Sequence, residues 1–149
     1  MRLLFVCTGN TCRSPMAEGF VNDMSQRMGL DIAVASAGVM TADGLAASEN
    51  AVLAMREYGI DISGHRSARI RKEALESADI VLTMSRSHRD ILLSLESDSK
   101  NIFTLKEFLG IAELDVMDPY GGDINIYRDT AAEIKYLVEK LVDLLFKKI

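Results

Sequence analysis

The 149-residue sequence has no tryptophan, two prolines, two cysteines, two histidines and only 6% aromatic residues. Two Cys and two His, with His65 and His88 far apart along the chain, cannot build a zinc ribbon or a paired-ligand finger. Cys7 and Cys12 are near neighbours and do not form the disulfide framework of a secreted fold. Positive charge is also short, with 17 Lys+Arg against 22 Asp+Glu and a formal net charge of -5. That balance argues against a nucleic-acid footprint and against a polybasic membrane patch. No apolar run approaches the ~20 residues of a membrane span. The run that follows Met1, Arg2-Leu3-Leu4-Phe5-Val6, is too short for a signal peptide. The expectation is a small, soluble, acidic, cytoplasmic protein with neither nucleic-acid nor membrane partners.

What is present is 48% hydrophobic residue in a chain of one domain's length, so a single domain over residues 1–149 is expected. Short apolar runs alternate with helical patterns. Leu3-Leu4-Phe5-Val6 predicts a buried strand, followed by a helix for which Ser14 is a candidate N-cap, Pro15 the first residue and Gly29 the stop. Ile32 to Ala35 predicts a second strand, Ser48 to Gly59 a helix and Arg71 to Ala78 a shorter one. Ile80 to Met84 predicts a third strand, Ser85 caps a helix carrying Ile91, Leu92 and Leu95, and Ile102 to Leu105 predicts a fourth strand. The last helix carries Ile134, Leu137, Val138, Leu141, Leu144 and Leu145 on one stripe, with Lys147-Lys148 complementing the negative end of its dipole. Near-continuous apolar strands alternating with helices predict an α/β three-layer sandwich: a four-stranded parallel sheet with helices on both faces. The site of such a fold lies beyond the carboxyl ends of the strands, where the first strand delivers Cys7. The eight methionines are expected mostly as core filler, and Arg66, Arg69, Arg71 and Lys72 as a solvated face.

Between the first strand and the first helix runs Cys7-Thr8-Gly9-Asn10-Thr11-Cys12-Arg13-Ser14. A Cys with an Arg six residues on arises by chance in about one such sequence in seven. The placement is what gives it weight, because backbone N–H groups and the dipole at a helix N-terminus favour an anion. A loop curled there can turn several N–H groups around a phosphate-sized oxyanion and favour Cys7 as a thiolate. Arg13 can hold two phosphate oxygens with its planar fork. Ser14 can donate to the thiolate or cap the helix, two roles that compete for one hydroxyl. Gly9 relieves crowding in the loop and Asn10 tolerates left-handed backbone. No Gly-Lys-Ser/Thr follows, which excludes a Walker-type loop. A cysteine nucleophile also needs an acid for its leaving group, and Asp118, in the polar Asp118-Pro119-Tyr120 segment that Pro119 keeps from becoming helical, is the candidate.

These segments resemble the low-molecular-weight protein tyrosine phosphatase family over essentially the whole chain. The resemblance rests on Val6 to Glu18, Ser36-Ala37-Gly38, Gly59-Ile60 with His65 and Ala68-Arg69, and Asp118-Pro119-Tyr120. It implies that Cys7 attacks phosphorus to form a phosphocysteine while Arg13 and the loop from Thr8 to Ser14 hold the phosphoryl oxygens. Asp118 then protonates the leaving group and activates the hydrolytic water. No cofactor and no metal are implied. Asn10, Ser36 and His65 match the network that braces the loop. Cys12 matches a second loop cysteine able to form a reversible disulfide with Cys7, and a thiolate is open to peroxide in any case.

Thr11 bears on the substrate. The tyrosine-directed branch usually carries a bulky aliphatic residue at this position, whereas Thr resembles the bacterial protein-arginine phosphatase branch. Asp118 to Gly122 with Ile124 and Tyr127 does so too. A short polar wall leaves room for a planar guanidinium and offers it a hydroxyl, while an aliphatic wall suits an aromatic ring. Tyr120 can stack on either group. Phosphoarginine on protein substrates is therefore the first expectation, phosphotyrosine by the same mechanism the alternative, and the working protein is expected to be a monomer. Two other readings carry less: an arsenate reductase needs further cysteines and none follows Cys12, and a thiol redox switch or anion-binding domain leaves Asp118 without a purpose.

Overall fold

The computed structural model describes residues 1–146. Four parallel strands form one sheet in the order β2-β1-β3-β4: β1 (Arg2–Cys7), β2 (Ala33–Gly38), β3 (Ile80–Thr83) and β4 (Ile102–Thr104). Helices α1 (Arg13–Met28), α2 (Glu49–Arg56), α3 (Lys72–Ser77), α4 (Arg86–Leu95), α5 (Leu105–Phe108) and α6 (Ile124–Phe146) cover it. Strand β1 is central, so its alternate side chains divide between two apolar layers. Leu3, Phe5 and Cys7 join residues of α1, α2, α5 and α6, whereas Leu4 and Val6 join Leu75 of α3 and Leu92 of α4. This is the expected three-layer α/β sandwich, with helices on both faces. Full burial of side chains such as Phe5, Val6, Ile134 and Leu141 stabilises it by ~1.5–3 kcal/mol each. No helix among the described residues is long and apolar enough to cross a membrane.

The chain leaves β1 for β2 on one side and returns to β3 on the other. The carboxyl ends of β1 and β3 therefore flank a topological switch point, where the connections diverge and leave a crevice.

Several element ends differ from expectation for identifiable reasons. The second strand runs on through Ser36, Ala37 and Gly38 because these pair with Phe5, Val6 and Cys7 of β1. Leu105 belongs to α5 and not to β4: Thr104 and Glu107 form a reciprocal capping box, a signature already present in Thr104-Leu105-Lys106-Glu107. Gly29 closes α1 in the left-handed region and Ser48 and Ser85 cap α2 and α4, as expected. Leu144 lies at the edge of the α6 stripe and is exposed, while Leu141 and Val142 are buried. Of the methionines only Met16, Met55 and Met84 are fully buried, and Met1, Met28, Met40 and Met117 are exposed, so the core-filler reading holds for a minority. The basic run is solvated, with Arg71 paired to Asp43 at 2.6 Å. Lys147-Lys148 lies outside the described residues.

Candidate active site

The loop from β1 into α1 is organised by Asn10, which sits in the left-handed region at φ 56° and is completely buried. That conformation costs a non-glycine residue on the order of 1 kcal/mol, and Asn tolerates it best. Four hydrogen bonds offset the strain. The Asn10 amide donates to Ser14 Oγ (2.8 Å) and Ser36 Oγ (2.9 Å), and its Oδ1 accepts from the Ala68 N–H (2.9 Å). His65 Nε2 lies 2.8 Å from the Asn10 carbonyl oxygen. Ser36 in turn donates to Glu18 at 2.5 Å. The end of β2 clasps the loop from the side, with Val39 N–H donating to the Cys7 carbonyl (3.0 Å) and Met40 N–H to the Thr8 carbonyl (2.9 Å). This approach needs a glycine, since a Cβ on Gly38 would stand 2.7 Å from the Thr8 oxygen. Gly9 is not needed in the same way: a Cβ there would meet only Thr11 Oγ1, at an ordinary 3.5 Å.

Cys7 Sγ lies 2.9 Å from Ser14 Oγ and accepts from the Asn10 N–H at 3.2 Å. Ser14 Oγ already accepts a hydrogen bond from the Asn10 amide, so its own hydroxyl hydrogen is available to the sulfur. The competition between capping and donating is thereby decided. Helix α1 begins at Arg13, Ser14 lies inside it, and Cys12 occupies the cap position without a side-chain bond. The N–H groups of Thr8, Gly9, Thr11 and Cys12 have no acceptor among the described residues, which leaves them free for an oxyanion.

Arg13 is buried at 5% exposure. Its Nη1 donates to the Val116 carbonyl (3.0 Å), and its Nη2 lies 3.5 Å from Asp118 Oδ2. Val116 is itself anchored, its N–H donating to the Met84 carbonyl beyond β3 at 2.7 Å. Asp118 Oδ1 accepts from the Tyr120 N–H (3.1 Å), and the Gly122 N–H donates to the Pro119 carbonyl (2.8 Å), closing a turn with Gly121 at φ 79°. Asp118 thus opens a tight turn and at the same time lines the cavity beside Arg13.

A cavity of about 400 Å³ opens above the loop, lined by Cys7, Thr11, Cys12, Arg13, Asp118 and Tyr120 together with Thr8, Gly9, Met40, Thr41 and Leu45. Cys7 is 2% exposed and is reached through this cavity and not from the outer surface. Both cysteines are free. Cys12 Sγ lies 3.2 Å from the Tyr127 hydroxyl and 3.5 Å from Ser48 Oγ. Burial, and then the bond to Cys12, push the Tyr127 hydroxyl up to about 12, so it stays protonated beside the sulfur. A second cavity of about 600 Å³ between α1 and residues 59–65 reaches Glu18 and His65 behind the loop but neither cysteine nor Arg13.

The residues expected at the site are therefore brought together, with Asn10, Ser14, Ser36 and His65 behind the loop surface and Cys7, Thr8, Gly9, Thr11, Cys12, Arg13, Asp118 and Tyr120 around the cavity. Sequence reasoning missed Val116, Glu18 and His88. His88 is buried between Thr8 Oγ1 (Nε2, 2.8 Å) and Ser85 Oγ (Nδ1, 2.9 Å). Burial first, and then the positive charge of Arg13, lower its pKa to about 4. The capping serine three residues earlier was legible, but the adjacency of β3 to β1 was not.

Residues 2–149 match the family described as low molecular weight phosphotyrosine protein phosphatase. The protein-arginine-phosphatase of Bacillus subtilis (strain 168) is 42% identical over 148 residues, 99% of this chain and 98% of that one. A crystal structure of a low molecular weight protein tyrosine phosphatase from T. tengcongensis superposes with a TM-score of 0.93 at 50% identity, covering 97% of this chain and 99% of that one. A Cys-to-Ser mutant of the YwlE arginine phosphatase, with a phosphorylated active-site serine, superposes with a TM-score of 0.95 at 41% identity, covering 99% and 97%.

Proposed function

The chain belongs to the low molecular weight phosphotyrosine protein phosphatase family, and on that footing we propose that it is a cysteine-dependent protein phosphatase that hydrolyses phosphoarginine side chains. One observation carries the chemistry. The Cys7 sulfur, braced by Ser14 and Asn10, shares a cavity with the Arg13–Asp118 pair at 3.5 Å. In the first step the Cys7 thiolate attacks phosphorus, the S–P bond forms, and the bond from phosphorus to the guanidinium nitrogen breaks as that nitrogen takes the Asp118 proton. Arg13 and the loop N–H groups hold the three phosphoryl oxygens as their charge develops. In the second step Asp118 takes a proton from water, the water oxygen attacks phosphorus, and the S–P bond breaks to release phosphate and restore the thiolate. This chemistry uses neither cofactor nor metal.

Thr11 on the cavity wall supports the guanidinium reading, since its hydroxyl suits a polar planar group better than a phenyl ring. The phosphorylated active-site serine that stands in place of cysteine in the arginine phosphatase relative supports a phosphocysteine intermediate. The tyrosine reading keeps one specific support, Tyr120, an 82% exposed ring at the cavity rim that can stack on a phenyl group. Initial rates on a phosphoarginine peptide and on a phosphotyrosine peptide of the same sequence decide between them. The expected result is the higher kcat/KM on phosphoarginine, and a higher value on phosphotyrosine overturns the assignment. One sheet with its covering helices and loops supplies the whole lining described for the cavity, in keeping with a single domain over residues 1–149 acting on phosphorylated proteins, which we take to work as a monomer. Both cysteines line it, which supports reversible inactivation through a Cys7–Cys12 disulfide, and a free thiol nucleophile fits a reducing cytoplasmic setting.

A further inference from the structure

His88 has no part in the steps above, yet it is 3% exposed and touches the phosphate-binding loop. Its two ring nitrogens bridge two elements. Nε2 meets Thr8 Oγ1 at 2.8 Å, and Nδ1 meets Ser85 Oγ, the N-cap hydroxyl of α4, at 2.9 Å. In a neutral imidazole one nitrogen donates and the other accepts, so in either tautomer the ring passes one hydrogen bond from the end of β3 to the residue after the nucleophile. The support beneath it is firm. The Thr83 hydroxyl donates to the Ser85 carbonyl at 2.8 Å, and the Met84 N–H donates to the Val6 carbonyl of β1 at 2.9 Å. Thr8 is thus gripped twice, through its carbonyl by Met40 and through its hydroxyl by His88.

We propose that His88 is a positioning residue for the dephosphorylation reaction, acting through the Thr8 hydroxyl to hold the first turn of the phosphate-binding loop against the end of β3. The proposal rests on the phosphatase reading above. An imidazolium would need two acceptors and would stand near the Arg13 guanidinium of α1, with Asp115 and Asp118 as the compensating carboxylates. Burial and Arg13 outweigh those carboxylates and keep the ring neutral down to about pH 4. The bridge is therefore intact across the range in which a cysteine phosphatase works.

The test is a double-mutant cycle on kcat/KM with a small aryl phosphate and with the better peptide substrate, joined to the thermal shift induced by orthophosphate. His88→Ala and Thr8→Val are each expected to lower kcat/KM by roughly tenfold, and the double variant to fall no more than about threefold below either. His88→Gln, whose amide reaches the place of Nε2, is expected to recover to within about threefold of wild type. The orthophosphate-induced shift should weaken along with kcat/KM. Between roughly pH 5 and 7 the ratio of wild-type to His88→Gln kcat/KM should stay flat, because a ring with a pKa of about 4 does not titrate there. Losses that multiply in the double variant, a His88→Ala enzyme at wild-type kcat/KM, a Gln variant no better than Ala at equal melting temperature, or a ratio that breaks near pH 6.5 would each overturn the proposal. If His88→Ala does not fold, His88→Asn, too short to reach Thr8, takes its place in the cycle. An inactive wild type would overturn the functional reading instead, and the orthophosphate shift would still report on the His88 bridge.

Discussion

Two segments face each other across the cavity and are held in opposite ways. The loop from Cys7 to Arg13 is anchored from all sides, by Asn10 to Ser14, Ser36, Ala68 and His65, by β2 along one flank and by His88 at the other. The segment from Asp118 to Gly122 is tied to the body through Val116 and the Met117 N–H, which donates to Glu133 of α6 at 3.4 Å, and beyond that by its own turn and a 3.5 Å contact between a half-exposed carboxylate and Arg13. One segment has the geometry of a preorganised oxyanion cradle, whose worth lies in needing no rearrangement as charge develops. Under the proposed function the other, with Tyr120 and the Thr11 wall opposite, is the side that meets whatever carries the phosphate. The loop rests on the buried, densely bonded Asn10, Arg13 and Ser14, and the facing segment carries the exposed Asp118 and Tyr120; under the proposed function the first side holds the phosphate and the second meets the leaving group. Substrate preference can shift there without disturbing the cradle.

The sharpest test is Cys7→Ser. Replacing the thiol by a weak oxygen nucleophile is expected to lower kcat by about 10⁴ or more while the melting temperature stays within about 3 °C of wild type. Substantial retained turnover would remove Cys7 from its role. The contrast between the segments is tested by Asp118→Asn beside Asn10→Ala. Loss of the general acid should reduce kcat by about 10²–10⁴ with little change in stability, because an ion pair with one exposed partner contributes under about 1 kcal/mol. Asn10→Ala should cost both, about tenfold or more in kcat/KM and on the order of 2–4 kcal/mol in urea unfolding, because it strands several buried partners and empties a strained position. If Asp118→Asn destabilises as much as Asn10→Ala, the two segments are not held differently. The smallest effect is expected from Thr11→Ile, a shift of about tenfold in the phosphoarginine-to-phosphotyrosine ratio of kcat/KM toward phosphotyrosine. An unchanged ratio would show that Thr11 does not gate the substrate.

Residues bound to near neighbours in the chain could be read from sequence. Cys7, Asn10, Arg13 and Ser14 lie within eight positions, and strand-loop-helix geometry brings the polar atoms of Cys7, Asn10 and Ser14 together. The strands of β1 and β3 were legible for a similar reason, as continuous apolar runs that a central parallel strand requires. The bracing roles of Ser36 and His65 entered only by resemblance, since 26 and 55 positions separate them from Asn10. Ser14 shows the limit at short range. As a candidate cap it was plausible, and only the direction of the Asn10 amide assigned its hydroxyl to sulfur.

By itself, then, the sequence determined the layered α/β class, the place of the cysteine loop after the first strand and the candidates for nucleophile, anion clamp and acid, because hydrophobic periodicity and local backbone geometry are short-range properties. Strand order was left to the tertiary structure. By setting β3 beside β1 it carried His88 to Thr8 across 80 positions and anchored Val116, and with it Arg13, at the same edge. No local pattern encodes which strand lies next to which, since that choice is made by burying both faces of the whole sheet at once.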